Sequence, residues 1–191
     1  GDTYTGYGRD LVDPELLKRV EILKGPSSAL YGSDGLAGVV SYITKDPEDF
    51  GANGQLYTSI KTSFDSGSDR VKTGVTLAAT KDKLGWILQA TRHDMEQSKL
   101  HADASLAPNP MEGDKTSILA KLKYNLNDTS TISLTIDMER SESDWYLPTD
   151  MGMSFFPSPI TNTSESLGTD KTDRARYTIS YEFSGETAFF D

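Results

Sequence analysis

Six stretches of this chain alternate apolar and polar residues with a period of two, the signature of strands that bury one face. In QLYTSIKTSF (55–64), Leu56, Thr58, Ile60, Thr62 and Phe64 share one face; Gln55, Ser59, Lys61 and Ser63, with Tyr57, share the other. RVKTGVTLAAT (70–80) sets Val71, Thr73, Val75, Leu77 and Ala79 against Lys72, Gly74, Thr76 and Thr80. LGWILQATRHD (84–94) sets Leu84, Trp86, Leu88 and Ala90 against Gln89, Thr91 and His93, with Ile87 and Arg92 out of pattern. The same rhythm runs through TSILAKLKYNL (116–126), STISLTIDMER (130–140) and DRARYTISYEF (173–183). In these the polar face carries Lys121, Lys123, Asp137, Glu139, Arg174, Arg176 and Glu182.

A soluble sandwich would alternate in the same way. Three features favour a membrane barrel instead. Most stretches have about the 9–11 residues that a tilted strand needs to cross a bilayer. Phe64, Trp86, Tyr124 and Phe183 fall near strand ends, where an interfacial aromatic girdle belongs. The connections are unequal: KDK (81–83) and ND (127–128) are tight, whereas 95–114 and 142–171 read as long loops. Outer-membrane barrels pair short periplasmic turns with longer outside loops. The first strand then runs upward from the periplasm, residues 1–50 enter from that side, and they are placed to fill the barrel from within.

Upstream, DPELLKRVEILKG reads as a short helix capped by Asp13 with Pro14 at its first position, then a strand over Arg19–Lys24. A second strand is expected over Gly38–Lys45, and KDPEDFGANG (45–54) is a linker of turn residues. Between the two strands lie several glycines. A phosphate loop needs G-x-x-x-x-G-K-[ST], and no Lys-Ser or Lys-Thr follows Gly32 or Gly35, so these glycines serve the backbone. The net charge of −10 argues against nucleic acid. With no cysteine there is neither a disulfide framework nor a thiolate metal site. No apolar run is long enough for a transmembrane helix. The chain opens in a loop and stops at AFFD, an apparent strand start, so it reads as part of a larger protein.

LLKRVEILKGPSSALYGSDGLAGVVSYITKDPEDF (16–50) resembles the end of the plug domain of TonB-dependent outer-membrane receptors. Lys24, Gly25 and Pro26 match its strand-ending turn, Tyr31 and Gly32 its L-Y-G step, and Gly35 and Gly38 its closing Gly-rich strand. The D-P-x-D-F linker and the RHDME…PNPMEGDKTSILAKL layout resemble the heme and hemoglobin branch. The resemblance implies an all-β chain: part of a transmembrane antiparallel β-barrel, about six strands over residues 50–191. Before it, residues 1–49 would be the C-terminal part of an α+β plug domain. It implies active transport of heme or hemoglobin-derived heme, energised by the proton-motive force through TonB, in the outer membrane of a Gram-negative bacterium. The partners implied are TonB, heme or hemoglobin, and outer-membrane lipid. Heme would be cargo rather than a permanent cofactor. A ferric-siderophore or cobalamin receptor stays open as an alternative, and so does a barrel adhesin, although an adhesin leaves the plug segment unexplained. No nucleophile–base pair supports an enzyme.

The branch often holds heme iron between a plug-apex residue and a loop residue, commonly histidine. At the plug position this sequence has Tyr4 and Tyr7 in GDTYTGYGRD, and tyrosine is a heme ligand in some proteins. Both also fit as ordinary loop aromatics. His93, on the polar face near the upper end of its strand, and His101, in the first long loop, are the two histidines. Each can serve as a heme contact or as a solvated side chain. The inward lysines, arginines and acids read as a polar lumen that clasps the plug. Glu142 and Asp144 read as a solvated acidic rim or a divalent-cation contact, without calcium-loop spacing.

Overall fold

A computed structural model describes residues 13–24, 38–51, 54–67, 69–96, 111–146, 152–154, 161–163 and 166–185. The described residues are all β, apart from two single 3-10 turns. The first turn, Pro14–Leu16, is capped as its sequence requires: the Asp13 carboxylate accepts from the Glu15 amide at 2.9 Å, and Pro14 opens the turn. Strands β1 (Leu17–Lys24) and β2 (Gly38–Thr44) form an antiparallel hairpin whose ladder runs from Leu17 opposite Thr44 to Lys24 opposite Gly38. Gly38 has φ +141°, and a Cβ there would lie 2.5 Å from the Leu23 carbonyl oxygen, so only glycine fits. The second turn, Pro47–Phe50, sits within the expected linker.

A single antiparallel meander follows: β3 (Leu56–Asp65), β4 (Arg70–Lys81), β5 (Leu84–Glu96), β6 (Met111–Asn127), β7 (Ser130–Tyr146) and β10 (Leu167–Phe183). Each strand pairs with its neighbour in sequence, in the order β3-β4-β5-β6-β7-β10. A small hairpin, β8 (Gly152–Ser154) with β9 (Thr161–Thr163), lies in the connection between β7 and β10. The two tight connections fall where expected, at Asp82–Lys83 and Asp128–Thr129, with Asp82 in the left-handed region at φ 51°. The register keeps each apolar set on one face: Ile60 pairs with Val75, Val75 with Ala90, Ala90 with Ile118 and Ile118 with Met138. Much of this face is exposed, Ile60 at 73% and Ile179 at 79%, as a lipid-facing surface requires. Tyr124 and Phe183 lie on it beside the tight turns.

Two details differ from the sequence reading. The last three long strands are taller than the alternation indicates. β6 begins at Met111 rather than Thr116, β7 runs to Tyr146 rather than Arg140, and β10 begins at Leu167 rather than Asp173. The added residues continue the hydrogen-bonded ladder, but their apolar-facing side now carries Asp114, Glu142, Glu112 and Asp144. Above the hydrocarbon, a strand's outward face need not be apolar, so the periodic signal stops before the strand does. Ile87, out of pattern in the sequence, belongs to the polar face by register, between Ala78 and Lys121. It is buried there with Ala78 and Leu119, and the plug side supplies buried Leu16 and Pro47. The Pro47–Phe50 turn lies against β4, β5 and β6. A Cβ on Gly85 would come within 3.1 Å of the Pro47 side chain. The polar face is therefore apolar where the Pro47–Phe50 turn covers it, and burying Ile87 and Leu119 contributes about 1.5–3 kcal/mol each.

Candidate functional site: the plug–wall junction

The hairpin is fastened to the polar face of the sheet at both of its ends. The first clasp precedes β1. Asp13 is buried, and its carboxylate accepts from the Glu15 amide and the Thr91 hydroxyl, meets His93 Nε2 at 2.8 Å and Lys72 Nζ at 3.4 Å. Beside it, Glu15 takes Lys61 at 3.1 Å and Lys72 at 3.5 Å. The second clasp follows β2. Lys121 Nζ reaches Asp46 at 3.0 Å and donates to the Thr44 hydroxyl at 2.9 Å; Lys123 reaches Glu48 at 3.2 Å and Asp46 at 3.8 Å. Lys18 and Asp49 tie the base of the hairpin to the second turn at 2.5 Å. In each of the ion pairs between the hairpin's flanking turns and the sheet, the turn supplies the acid and the sheet the base. The period-two pattern produces this arrangement, since Lys61, Lys72, His93, Lys121 and Lys123 all fall on the same face by register.

Burial alone would push the Asp13 carboxyl up. The hydrogen bonds from Thr91, the Glu15 amide and His93, with the imidazole charge, outweigh it and hold the group down at about 2. Glu15 is likewise lowered, its partial burial opposed by Lys61 and Lys72. Asp49 is lowered, its partial burial opposed by Lys18 and the Asp46 amide; the hydrogen bond to Asp49 raises Lys18 in turn. Asp13, Glu15 and Asp49 are thus charged across the neutral range.

Between the clasps lies a polar cavity of about 190 Å³, lined by Lys45, Phe50 and Glu15 on the plug side and by Tyr57, Lys61 and Gln89 among others on the wall. Phe50 and Tyr57 meet at its lining, with ring centroids 5.0 Å apart and planes tilted by 46°. Further along the sheet, Lys115 meets Glu139 at 3.0 Å, and Arg174 meets Asp137 at 3.2 Å and Glu139 at 3.8 Å, so part of the charge on this face is satisfied within the sheet.

Of the expected site residues, the structure brings His93 into the first clasp, with Nε2 on Asp13. Tyr4, Tyr7 and His101 lie outside the described residues, as do Gly25, Pro26, Tyr31, Gly32 and Gly35 of the plug motif. Lys24 and Gly38, its remaining members, pair with each other at the end of the hairpin ladder. Glu142 and Asp144 stand on the outward face, where Glu142 takes Lys171 at 2.5 Å and Asp144 accepts from Thr169 at 2.7 Å. Among the described residues no group of three or more acidic or histidine side chains is arranged to hold a metal ion. The sequence reading gave Asp13 only a capping role. Its part in the junction had no local signal, because its partners lie 59 to 80 residues further along the chain.

A strand hairpin docked through acids on the basic face of a tall antiparallel meander, whose other face is apolar and exposed, defines a plugged wall of the outer-membrane type. Residues 2–39 match the family model described as TonB-dependent Receptor Plug Domain. The whole chain aligns at 28% identity with Hemoglobin-binding protein A of Haemophilus influenzae, covering 20% of that protein. It is 32% identical to the Hemin receptor of Yersinia enterocolitica over 70% of this chain and 19% of that one. It is 30% identical to an Iron-regulated outer membrane virulence protein of Vibrio cholerae over 63% of this chain and 18% of that protein. The chain belongs to the TonB-dependent outer-membrane receptors. It spans about a fifth of the length of these curated relatives, and its place is the bacterial outer membrane.

Proposed function

We propose that these residues form the plug–barrel junction of a receptor that takes up heme, either free or drawn from hemoglobin, across the outer membrane. Residues 1–49 are the C-terminal part of the plug, and residues 50–191 begin a barrel that further strands close. The edges β3 and β10 need such partners, because unpaired edges are not tolerated in hydrocarbon. Transport is energised through TonB, which draws on the proton-motive force to displace the plug. The clasps are the contacts such a displacement must break or pivot on.

The observation that carries the cargo assignment is the similarity to proteins named for binding hemoglobin and hemin, one along the whole chain and one along 70% of it. On this reading Tyr4 or Tyr7 at the plug apex and His101 in the outer loop are the iron ligands. His93 belongs to the same set only when Asp13 releases its Nε2. A ferric-siderophore cargo is favoured by one observation, the likeness to a relative named for iron regulation alone.

The test is a hemin titration of the full-length receptor followed in the Soret band, for wild type and for Tyr4→Phe with Tyr7→Phe. A saturable shift weakened by the double change supports heme with a tyrosine ligand. A saturable shift that the change leaves intact keeps heme and moves the ligand to His101 or elsewhere. Absence of any saturable shift removes heme and turns the search to ferric siderophores.

A further inference from the structure

We infer that the cavity between the two clasps is a binding site for a small free oxyanion, of the phosphate or short-carboxylate kind, which fastens the plug side to the wall. The cavity holds about 190 Å³, many times the ~10–15 Å³ that one water needs. Ammonium groups line it from both sides: Lys45 follows β2, Lys61 stands on β3 and Lys72 on β4. Two carboxylates oppose them, Glu15 in the lining and Asp13 beside it. Lys61 lies 3.1 Å from Glu15, and Lys72 lies 3.5 Å from Glu15 and 3.4 Å from Asp13. Lys45 is the cation left over. Its Nζ donates to the Glu15 carbonyl at 2.7 Å and lies 5.8 Å from the centre of the Phe50 ring, and it meets no carboxylate among the described residues.

A second group in the lining also lacks a partner. Gln89 of β5 is 3% exposed; its Nε2 donates to the Thr76 hydroxyl at 3.0 Å, while its buried Oε1 has no hydrogen-bond partner. Buried polar atoms are normally met, so this one points to a guest. The Thr76 hydroxyl donates as readily as it accepts, so the amide can turn end for end and offer its NH₂ to the cavity instead. The carbonyl end receives the hydroxyl of a hydrogen phosphate, and the amino end donates to an anionic oxygen. A cation is repelled by the surrounding ammonium groups. Water would satisfy Gln89 but leave the surplus charge on Lys45 unopposed. Because the site takes Lys45 from the plug side and Lys61 and Gln89 from the wall, it is complete only when the two are docked. The anion therefore favours docking by the factor 1 + [L]/Kd, about elevenfold at ten times Kd.

The inference concerns the junction and not the cargo, so its readout contains no heme. The full-length receptor in lipid nanodiscs is titrated with inorganic phosphate at pH 7.5, with sodium chloride holding ionic strength constant. Docking is read as amide exchange at Lys45 and Asp49, whose N–H groups are bonded to Leu16 and Asp46. Wild-type protection is expected to rise saturably, by at least about threefold. Gln89→Leu and Lys45→Met, each compared with its own phosphate-free value, are expected to weaken or abolish the rise. Should one of them fail to fold, the other decides. Arg140→Gln, which removes an exposed cation elsewhere on the sheet, is expected to keep the rise. Protection that does not respond to phosphate in wild type overturns the inference and leaves the cavity to water. A rise that survives both cavity variants overturns it by placing the anion elsewhere, and a rise lost equally in Arg140→Gln overturns it by reducing the effect to general charge.

Discussion

Replacing Asp13 by Asn removes the charge around which the first clasp is built while keeping a side chain of nearly the same shape. The magnitude follows from the carboxyl itself. Its fall from 3.8 to about 2 corresponds to about 2 kcal/mol in favour of the ionised state, an upper figure for docking because the Glu15 amide that supplies part of it lies in the same turn as Asp13. The side chain is buried, so solvent screening takes little from that figure. The amide also cannot accept from Thr91, Glu15 and His93 together. The chain has no cysteine, so one introduced thiol reports opening without background. Leu16→Cys places it on a buried residue one turn from the clasp. In that background, Asp13→Asn should speed maleimide labelling by up to roughly thirtyfold at pH 7.5, the ratio that about 2 kcal/mol implies. A change below about threefold would mean that the second clasp, not Asp13, holds the hairpin.

Three further outcomes follow from the same geometry. Because the docked carboxyl of Asp13 is depressed, its contribution is complete above about 3.8 and lost as pH falls towards 2; labelling of Leu16→Cys by an acid-tolerant disulfide reagent should accelerate across that window in wild type and not in Asp13→Asn. Lys121→Met strips the second clasp of a nearly buried cation that serves both Asp46 and Thr44; it should cost about 1–2 kcal/mol of hairpin docking, read as exchange at the Lys45 amide, with Lys123 retaining part of the hold on Asp46. Gly38→Ala drives a Cβ onto the Leu23 carbonyl at a positive φ, so it should loosen the far end of the hairpin by about 1–3 kcal/mol while leaving the exchange of β4 to β7 unchanged.

The wall was legible because lipid on one side and a polar lumen on the other impose a strict two-residue rhythm, and that rhythm fixes both strand and register. Lys61, Lys72, Lys121 and Lys123 were placed inward by it, and all four meet plug-side acids. The rhythm fails where one of its two environments changes. Above the membrane, Asp114 and Glu142 occupy outward positions, and the strands outrun their pattern. Beneath the plug side, Ile87 and Leu119 occupy inward positions, because Pro47 and its turn exclude water there. The hairpin was legible from Asp13, Pro14 and Gly38, whose backbone demands are local. The pairing of Asp13 with His93 was not, since 80 residues separate them and only the docking of the turn on the sheet brings them together.

If the receptor takes up heme with energy delivered through TonB, growth on hemin depends on both. A heme-requiring bacterial strain stripped of its own heme receptors would carry the full-length gene, with and without a functional TonB, and growth would be followed on hemin or hemoglobin as the sole source of heme and iron. Growth is expected only when the receptor and TonB are both present, reduced by Asp13→Asn if the first clasp controls plug movement. Growth that is equal without TonB, or absent on hemin yet present on a ferric siderophore, would contradict it.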